Sequence, residues 1–170
     1  MDYDKKIATK IQKLGDAKIE SPALKRSHNL ATNNFVSDDE GVLIDVTLSS
    51  FKEAMETGNP GPAFEFAGPR EKIYFDPSKL RCGIVTCGGL CPGLNDIIRS
   101  VVLELYFGYG VKQIFGFRYG LQGFIPGYGH DVMDLGPEIV VDILERGGSI
   151  LGSSRGPQNV NEIVDTLERM

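Results

Sequence analysis

The 170-residue sequence predicts an α/β protein with a parallel sheet, preceded by an irregular extension. Three observations support this fold class. From residue 80 onward, short apolar runs alternate with amphipathic segments of helical period. Glycine-rich turns follow two of these apolar runs. Before residue 75 the chain is polar, weakly patterned and rich in proline. We therefore expect an extension over residues 1–75 and one incomplete α/β domain over residues 76–170.

The extension offers few regular elements. Ile7, Ile11 and Leu14 allow one short helix, which Gly15 would end. The apolar alternation of residues 42–48 predicts a strand. Prolines and glycines recur through residues 58–80, and they favour short extended pieces over continuous helix or strand.

The domain begins with a predicted strand–helix–strand unit. Residues 82–87 form a short apolar run, as expected of a buried parallel strand. Residues 94–107 carry their apolar side chains on one helical face, and glycines at 108 and 110 would end this helix. Residues 111–117 predict a second strand, so that the three elements form a right-handed βαβ unit.

Three further elements follow the Gly/Tyr-rich segment 119–130. Pro137 is expected to open a helix that ends at Gly147, with Ile139, Val140, Ile143 and Leu144 on one face. Residues 149–158 predict a short strand that runs into a second Gly/Ser turn. Residues 160–169 predict a last helix, with Ile163, Val164 and Leu167 facing inward. We expect three short parallel strands in all after residue 80.

Composition and charge exclude several classes of partner. The formal net charge is −5, and no block of Lys or Arg is long enough to bind nucleic acid or an anionic membrane surface. No apolar stretch reaches the length of a membrane span. The first residues lack the layout of a signal peptide, so we expect a cytoplasmic protein. Cys82, Cys87 and Cys91 have neither the spacing of a zinc site nor an even count for a disulfide framework.

Two glycine-rich turns carry the functional signal. A helix that follows a parallel strand presents free N–H groups, and glycines such as Gly88 and Gly89 let a phosphate approach them. The second turn holds Arg155 and Gly156, and arginine suits forked contacts to phosphate. Neither turn matches a Walker or a dinucleotide-binding pattern. A tight turn without a ligand, and a surface or carboxylate-paired Arg155, therefore remain open as alternatives.

Longer motifs resemble the 6-phosphofructokinases. The segments "VTCGGLCPGLNDIIRS", "GGSILGSSRGPQ" and "EIVDTLER" occur at the family's spacing, and "AGPREKIYFDP" resembles the branch with long N-terminal extensions in plants, trypanosomatids and some bacteria. The similarity covers residues 67–170. It implies a Rossmann-like three-layer sandwich with a parallel sheet. It also implies a homo-oligomeric, allosterically controlled enzyme of glycolysis that uses ATP and Mg²⁺ to phosphorylate fructose 6-phosphate to fructose 1,6-bisphosphate.

The resemblance also implies residue roles. Gly88 and Gly89 would contact the nucleotide phosphates, Arg155 would lie along the transferring phosphoryl group, and Gly156 would follow along the nucleotide. Three positions depart from the pattern. Leu90 stands where short bacterial members have Asp, Leu121 where many members have the Tyr that stacks on adenine, and Leu103 where the bacterial effector site has the partner of the arginine that matches Arg99.

The resemblance places the catalytic base and the Mg²⁺ ligands in segments that would follow Met170. We therefore expect the chain to be the N-terminal portion of such an enzyme and to be inactive alone. Two alternatives remain: the same enzyme with pyrophosphate as donor, and a nucleotide-binding module without catalysis.

Overall fold

The computed structural model describes residue 9 and residues 11–24, 35–59 and 61–170. The chain divides into two compact units, Met1–Tyr74 and Phe75–Met170. The helix expected around Ile7 lies partly outside the described residues. Residues 11–14 are described and are not helical, and Ile11 and Leu14 are largely exposed. None of the helices in the described ranges has the length and hydropathy needed to cross a membrane.

Among its described residues, the first unit contains two small antiparallel sheets, helical residues at 22–24 and one ten-residue helix. Strand β1 (Ile19–Glu20) pairs with β4 (Lys72–Ile73), and β2 (Gly41–Leu43) pairs with β3 (Ala63–Glu65). Helix α1 (Leu48–Thr57) lies between β2 and β3 in the sequence. The described part of the proline-rich segment 58–80 thus forms short extended pieces, as predicted, and in addition one 3₁₀ turn at Pro77–Lys79.

The predicted strand 42–48 is wrong beyond Leu43, because a helix cap follows. The side chain of Asp45 accepts a hydrogen bond from the Thr47 N–H at 2.9 Å. Thr47 is the N-cap of α1, and its hydroxyl oxygen accepts from the Ser50 N–H at 3.4 Å. These polar side chains compete with a sheet ladder for the backbone, so the apolar alternation does not continue as strand.

A charged network around Arg70 holds the first unit. Its guanidinium donates to Asp38 Oδ1 at 2.8 Å and to the carbonyl oxygen of Phe66 at 2.6 Å, and it also contacts Glu65 Oε1 at 3.3 Å. The hydrogen bond from Arg70 lowers the pKa of Asp38 below its usual value, with a further contribution from the charge of Lys13.

The predicted strand–helix–strand order with two parallel strands is confirmed in the second unit. Strand β5 (Arg81–Val85) pairs in parallel with β6 (Gln113–Phe117), with Gly83 opposite Phe115. Helix α2 (Leu94–Leu103) connects them and continues as a π-helical turn over Glu104–Gly108. The core of this unit is an aliphatic cluster of eight buried residues: Ile98, Val102, Val111, Ile114, Leu135, Val140, Ile143 and Leu151.

A third strand joins this sheet in the opposite direction. Strand β7 (Val132–Asp134) is antiparallel to β6, so the expectation of three parallel strands is wrong. Two 3₁₀ turns, Gly120–Phe124 and Pro126–Tyr128, reverse the chain before β7. A connection without a full crossover helix returns the chain antiparallel. The fold class is α/β as predicted, with a sheet that is parallel only between β5 and β6.

The helix predicted after Pro137 is also wrong. Turns and bends occupy this segment, and its only regular turn is a 3₁₀ helix at Ile143–Glu145. Val140 and Ile143 are buried, whereas Ile139 and Leu144 are about half exposed. The run of β-branched residues at 139–141 disfavours helix, and burial of two side chains does not require one.

The end of the chain matches the prediction in part. Helix α3 (Val160–Arg169) is confirmed, with Asn159 as its N-cap. Its predicted inward face is only partly covered, since Val164 and Leu167 are about half exposed. The strand predicted within residues 149–158 is absent, because backbone carbonyls of this segment accept hydrogen bonds from two neighbouring turns and do not form a sheet ladder. The Leu151 carbonyl accepts from the Tyr119 N–H at 2.7 Å, and the Ser154 carbonyl accepts from the Gly88 N–H at 3.1 Å.

Candidate phosphate-binding site

The two glycine-rich turns predicted from the sequence lie side by side. The Gly88 N–H donates to the Ser154 carbonyl at 3.1 Å. In the opposite direction, the Ser153 hydroxyl donates to the Gly88 carbonyl at 2.8 Å. Two hydrogen bonds between residues 65 or more positions apart therefore fix the turn after β5 against the turn before α3.

Arg155 reaches across from the second turn to the first. A Cβ atom added to Gly89 would lie 3.2 Å from Nη2 of Arg155, so the guanidinium rests against the Gly89 backbone. Arg155 is exposed, and it forms no ion pair with a carboxylate of the described residues. The structure thus brings Gly88, Gly89 and Arg155 together, and the carboxylate-paired alternative for Arg155 finds no support.

Gly88 and Gly156 leave open space in front of their backbones. Both have φ of +95°, a conformation that favours glycine, and an added Cβ atom at either position would meet no atom within 4 Å. A side chain would occupy the space that a phosphate needs to approach the backbone. The N–H of Gly88 itself is already bonded to Ser154, so Gly88 offers close approach and not a free donor.

The amino end of α2 lies next to this turn. Its N-cap is Gly93, with φ of +87° and no capping side chain. The first free backbone N–H groups of the helix therefore have no side-chain acceptor at the N-cap, and the helix dipole favours an anion there. Asp96 lies in the first turn of α2, as predicted. Its carboxylate already places a negative charge at this end of the helix, so a phosphate bound there would lie near that charge.

A third segment, not predicted as part of the site, completes the arrangement. Tyr119 follows β6 in a left-handed conformation, with φ of 58°. A Cβ atom on Gly120 would lie 2.6 Å from Ser154 Oγ and 3.3 Å from Cys87 Sγ, so all three segments meet at Gly120. Likewise, a Cβ atom on Gly152 would lie 2.9 Å from the Tyr119 ring. Gly120 and Gly152 are needed for close packing, a role that their position in a Gly/Tyr-rich segment does not reveal.

Asn95 fixes the base of the site and was also missed. It is 2% exposed. Its side-chain amide donates to the Arg146 carbonyl at 2.8 Å, and its side-chain oxygen accepts from the Ile150 N–H at 2.8 Å. The Thr86 hydroxyl adds a second link through Ser149 Oγ at 2.9 Å. The sequence feature that could have identified Asn95 was a polar amide within the otherwise apolar face of the predicted helix.

The three cysteines are free thiols, and their environments differ. Cys87 and Cys91 are exposed in the first turn, whereas Cys82 is half-buried in β5. Burial raises the pKa of the Cys82 thiol above its usual value. Among the described residues, no three His, Cys, Asp or Glu side chains come together in a group that could hold a metal ion.

Comparison with known proteins decides the family. A family model described as phosphofructokinase matches residues 81–170, which include both glycine-rich turns and helices α2 and α3. The chain belongs to the phosphofructokinase family. The phosphofructokinase match begins at the first residue of β5, so the irregular first unit lies outside it.

Several phosphofructokinases resemble the chain over most of its length. An ATP-dependent 6-phosphofructokinase of Amycolatopsis methanolica is 45% identical over 93% of this chain and 34% of its own length. The enzyme of the same name from Borreliella burgdorferi is 43% identical over 95% of this chain and 35% of its own. That of Trypanosoma cruzi is 52% identical over 62% of this chain and 22% of its own.

The chain thus spans about a third of the length of the first two of these relatives. Among solved structures, the phosphofructokinase of Pichia pastoris in the T-state aligns with 54% of this chain and 10% of its own, at 26% identity and a TM-score of 0.47.

Proposed function

We propose that the chain forms part of an ATP-dependent 6-phosphofructokinase. The reaction transfers the γ-phosphoryl group of ATP to the 1-hydroxyl of fructose 6-phosphate and releases ADP and fructose 1,6-bisphosphate. The observation that carries the proposal is the contact of Arg155 with Gly89, which joins a cation to the open glycine turn before α2. The names of the relatives supply the donor and the class of reaction.

The residues take the following roles in this proposal. Gly88, Gly89 and Gly156 leave room for the phosphate chain of the nucleotide, and the free N–H groups at the start of α2 attract it. Arg155 lies along the transferring phosphoryl group. The charge on that group is spread over its oxygens in the transition state, and a fixed guanidinium stabilises it most at that point.

Two parts of the reaction need groups beyond those described. The sugar hydroxyl must lose a proton to a carboxylate, and Mg²⁺ must be held by carboxylates as well as by the nucleotide phosphates. We expect these groups outside residues 1–170, since the relatives are about three times as long. A homo-oligomeric state, allosteric control and a cytoplasmic location stay predictions.

The test is steady-state turnover by the protein expressed from the complete reading frame of its gene. We expect ADP to form only when ATP, Mg²⁺ and fructose 6-phosphate are all present, with formation of fructose 1,6-bisphosphate at the same rate. A second series replaces ATP with pyrophosphate. Turnover with pyrophosphate alone would reassign the donor. Binding of ATP without turnover under any condition would favour the nucleotide-binding module and overturn the proposal.

A further inference from the structure

A cavity separate from the glycine turns lies between α2, the end of β6 and the segment 143–150. Its volume is about 420 Å³, within the range of small-molecule sites. Nine residues line it: Asn95, Arg118, Met133, Ile139, Ile143, Arg146, Gly147, Ser149 and Ile150. The lining contains two arginines and no acidic residue.

Arg118 holds a buried polar atom that has no partner among the described residues. Its Nε atom is buried and has no hydrogen-bond acceptor. The guanidinium carbon of Arg118 lies 5.3 Å from the centroid of the Tyr119 ring. Buried polar groups in folded proteins are nearly always hydrogen-bonded, so an unpaired buried guanidinium nitrogen points to an acceptor that occupies the cavity.

The other polar lining groups are already engaged. The amide nitrogen and oxygen of Asn95 bind the Arg146 carbonyl and the Ile150 N–H, and the Ser149 hydroxyl pairs with Thr86 and accepts from the Leu151 N–H. Neither arginine pairs with a carboxylate among the described residues. The side-chain donors that remain free in the lining are thus those of the two arginines, while Met133, Ile139 and Ile143 supply an apolar wall.

We propose that this cavity binds a small organic oxyanion. Its phosphate or carboxylate head group pairs with Arg118 and Arg146, and its short apolar body packs on Met133, Ile139 and Ile143. Arginine is suited to both head groups because its forked N–H donors match two oxygens of either. None of its lining residues belongs to the two glycine turns, although Asn95, Ser149 and Ile150 also support those turns from below. The proposal does not rest on the proposed function.

The test uses the protein from its complete reading frame, with Arg155→Ala introduced to remove anion binding at the glycine turns. Inorganic phosphate, butyl phosphate and butyrate are titrated by calorimetry and by the shift of the melting temperature. Butylamine is the probe control, because it has the same apolar tail and the opposite charge. We expect saturable binding of butyl phosphate or butyrate and none of butylamine. Whichever of butyl phosphate and butyrate binds more tightly shows whether the site prefers a phosphate or a carboxylate head group.

Arg118→Gln and Arg146→Gln should each weaken that binding about tenfold, the loss of one charged hydrogen-bonded pair. Arg81→Gln is the matched control, an exposed arginine at the start of β5 that does not line the cavity. Arg118→Lys keeps the positive charge but loses the paired N–H donors of the guanidinium, and this variant should bind the same probe with intermediate affinity. Equal binding by Arg118→Gln and by the parent would overturn the proposal. So would the absence of saturable binding in the parent, as when an acidic side chain from elsewhere in the protein fills the cavity.

Discussion

Arg155 rests against Gly89 so closely that a Cβ atom at residue 89 would lie 3.2 Å from its Nη2 atom. Gly89 does not have a positive φ, so its backbone alone does not require glycine. What glycine provides at this position is room for the guanidinium of the facing turn. Glycine at residue 89 is therefore favoured by the side chain that faces it, and not by its own backbone conformation.

Gly89→Val should displace the guanidinium while the backbone keeps its conformation. We expect kcat to fall at least tenfold in the protein from its complete reading frame, because Arg155 no longer lies along the transferring group, a loss of about 1.4 kcal/mol or more in the transition state. Steady-state kinetics measure it. Gly127→Val is the control, since Gly127 has open space around it and no positive φ. A kcat within twofold of wild type for Gly89→Val would contradict the role of this contact.

Gly88 should behave differently, although it is the neighbouring glycine. Its φ of +95° strains any side chain, even though no atom lies within 4 Å of an added Cβ. We expect Gly88→Ala to lower the free energy of unfolding by about 1–2 kcal/mol, the cost of a left-handed conformation for a residue with a Cβ. Gly89→Ala should cost much less. Chemical denaturation of both variants decides this, and equal losses would contradict the distinction.

Arg155→Ala tests the cation directly. We expect kcat to fall by about 10²–10³-fold with a much smaller rise in KM for either substrate, because one fixed donor to the transition-state charge is removed. Arg81→Ala serves as the matched control, as an exposed arginine at the start of β5. A rise in KM for ATP with an unchanged kcat would instead assign Arg155 to uniform nucleotide binding.

Local patterns in the sequence predicted the parts of the site that are continuous in the chain. Side-chain patterns predicted the strands at residues 82–87 and 111–117 and the helix at residues 94–107, and β5, β6 and α2 confirm them. Gly88 and Arg155 were identified by the composition of their turns. The resemblance gave each residue a role toward the nucleotide, and the structure adds that the two turns lie side by side, joined by hydrogen bonds between Gly88 and residues 153 and 154.

The misses share a physical cause. The segment after Pro137 carries a helical spacing of apolar side chains, yet Val140 and Ile143 reach the core from irregular turns. In this segment the periodicity of the apolar residues identified two buried side chains, but it did not identify the backbone conformation. Gly120 and Asn95 were missed because their partners, Ser154 and Ile150, lie more than 30 residues away in the sequence. No local pattern signals such a contact.

Asn95 should be one of the most costly polar residues to replace in the second unit. Asn95→Leu leaves the Arg146 carbonyl and the Ile150 N–H without their side-chain partner, and each unpaired buried group costs about 1–3 kcal/mol. Asn95→Asp keeps the acceptor for Ile150 and loses only the donor to Arg146, although it adds a charge. Thermal and denaturant unfolding should rank wild type above Asn95→Leu by several kilocalories per mole. Asn161→Leu, at an exposed position of α3, is the control and should cost far less. Similar losses for Asn95→Leu and Asn161→Leu would contradict the bridging role.

The three cysteines should react with an alkylating reagent at two distinct rates. The thiolate is the reactive form, and burial raises the pKa of Cys82, so less of its thiol is ionised at a given pH. Cys87 and Cys91 are exposed in the glycine turn and should be modified first by iodoacetamide at pH 8. Because Cys87 precedes Gly88, a nucleotide bound to the turn should slow its modification and leave the rate at Cys82 unchanged. Peptide mass spectrometry of timed samples, with and without Mg·ATP, measures all three sites in one experiment. Faster labelling of Cys82 than of Cys87 would contradict the burial difference, and equal rates at Cys87 with and without nucleotide would count against phosphate binding at this turn.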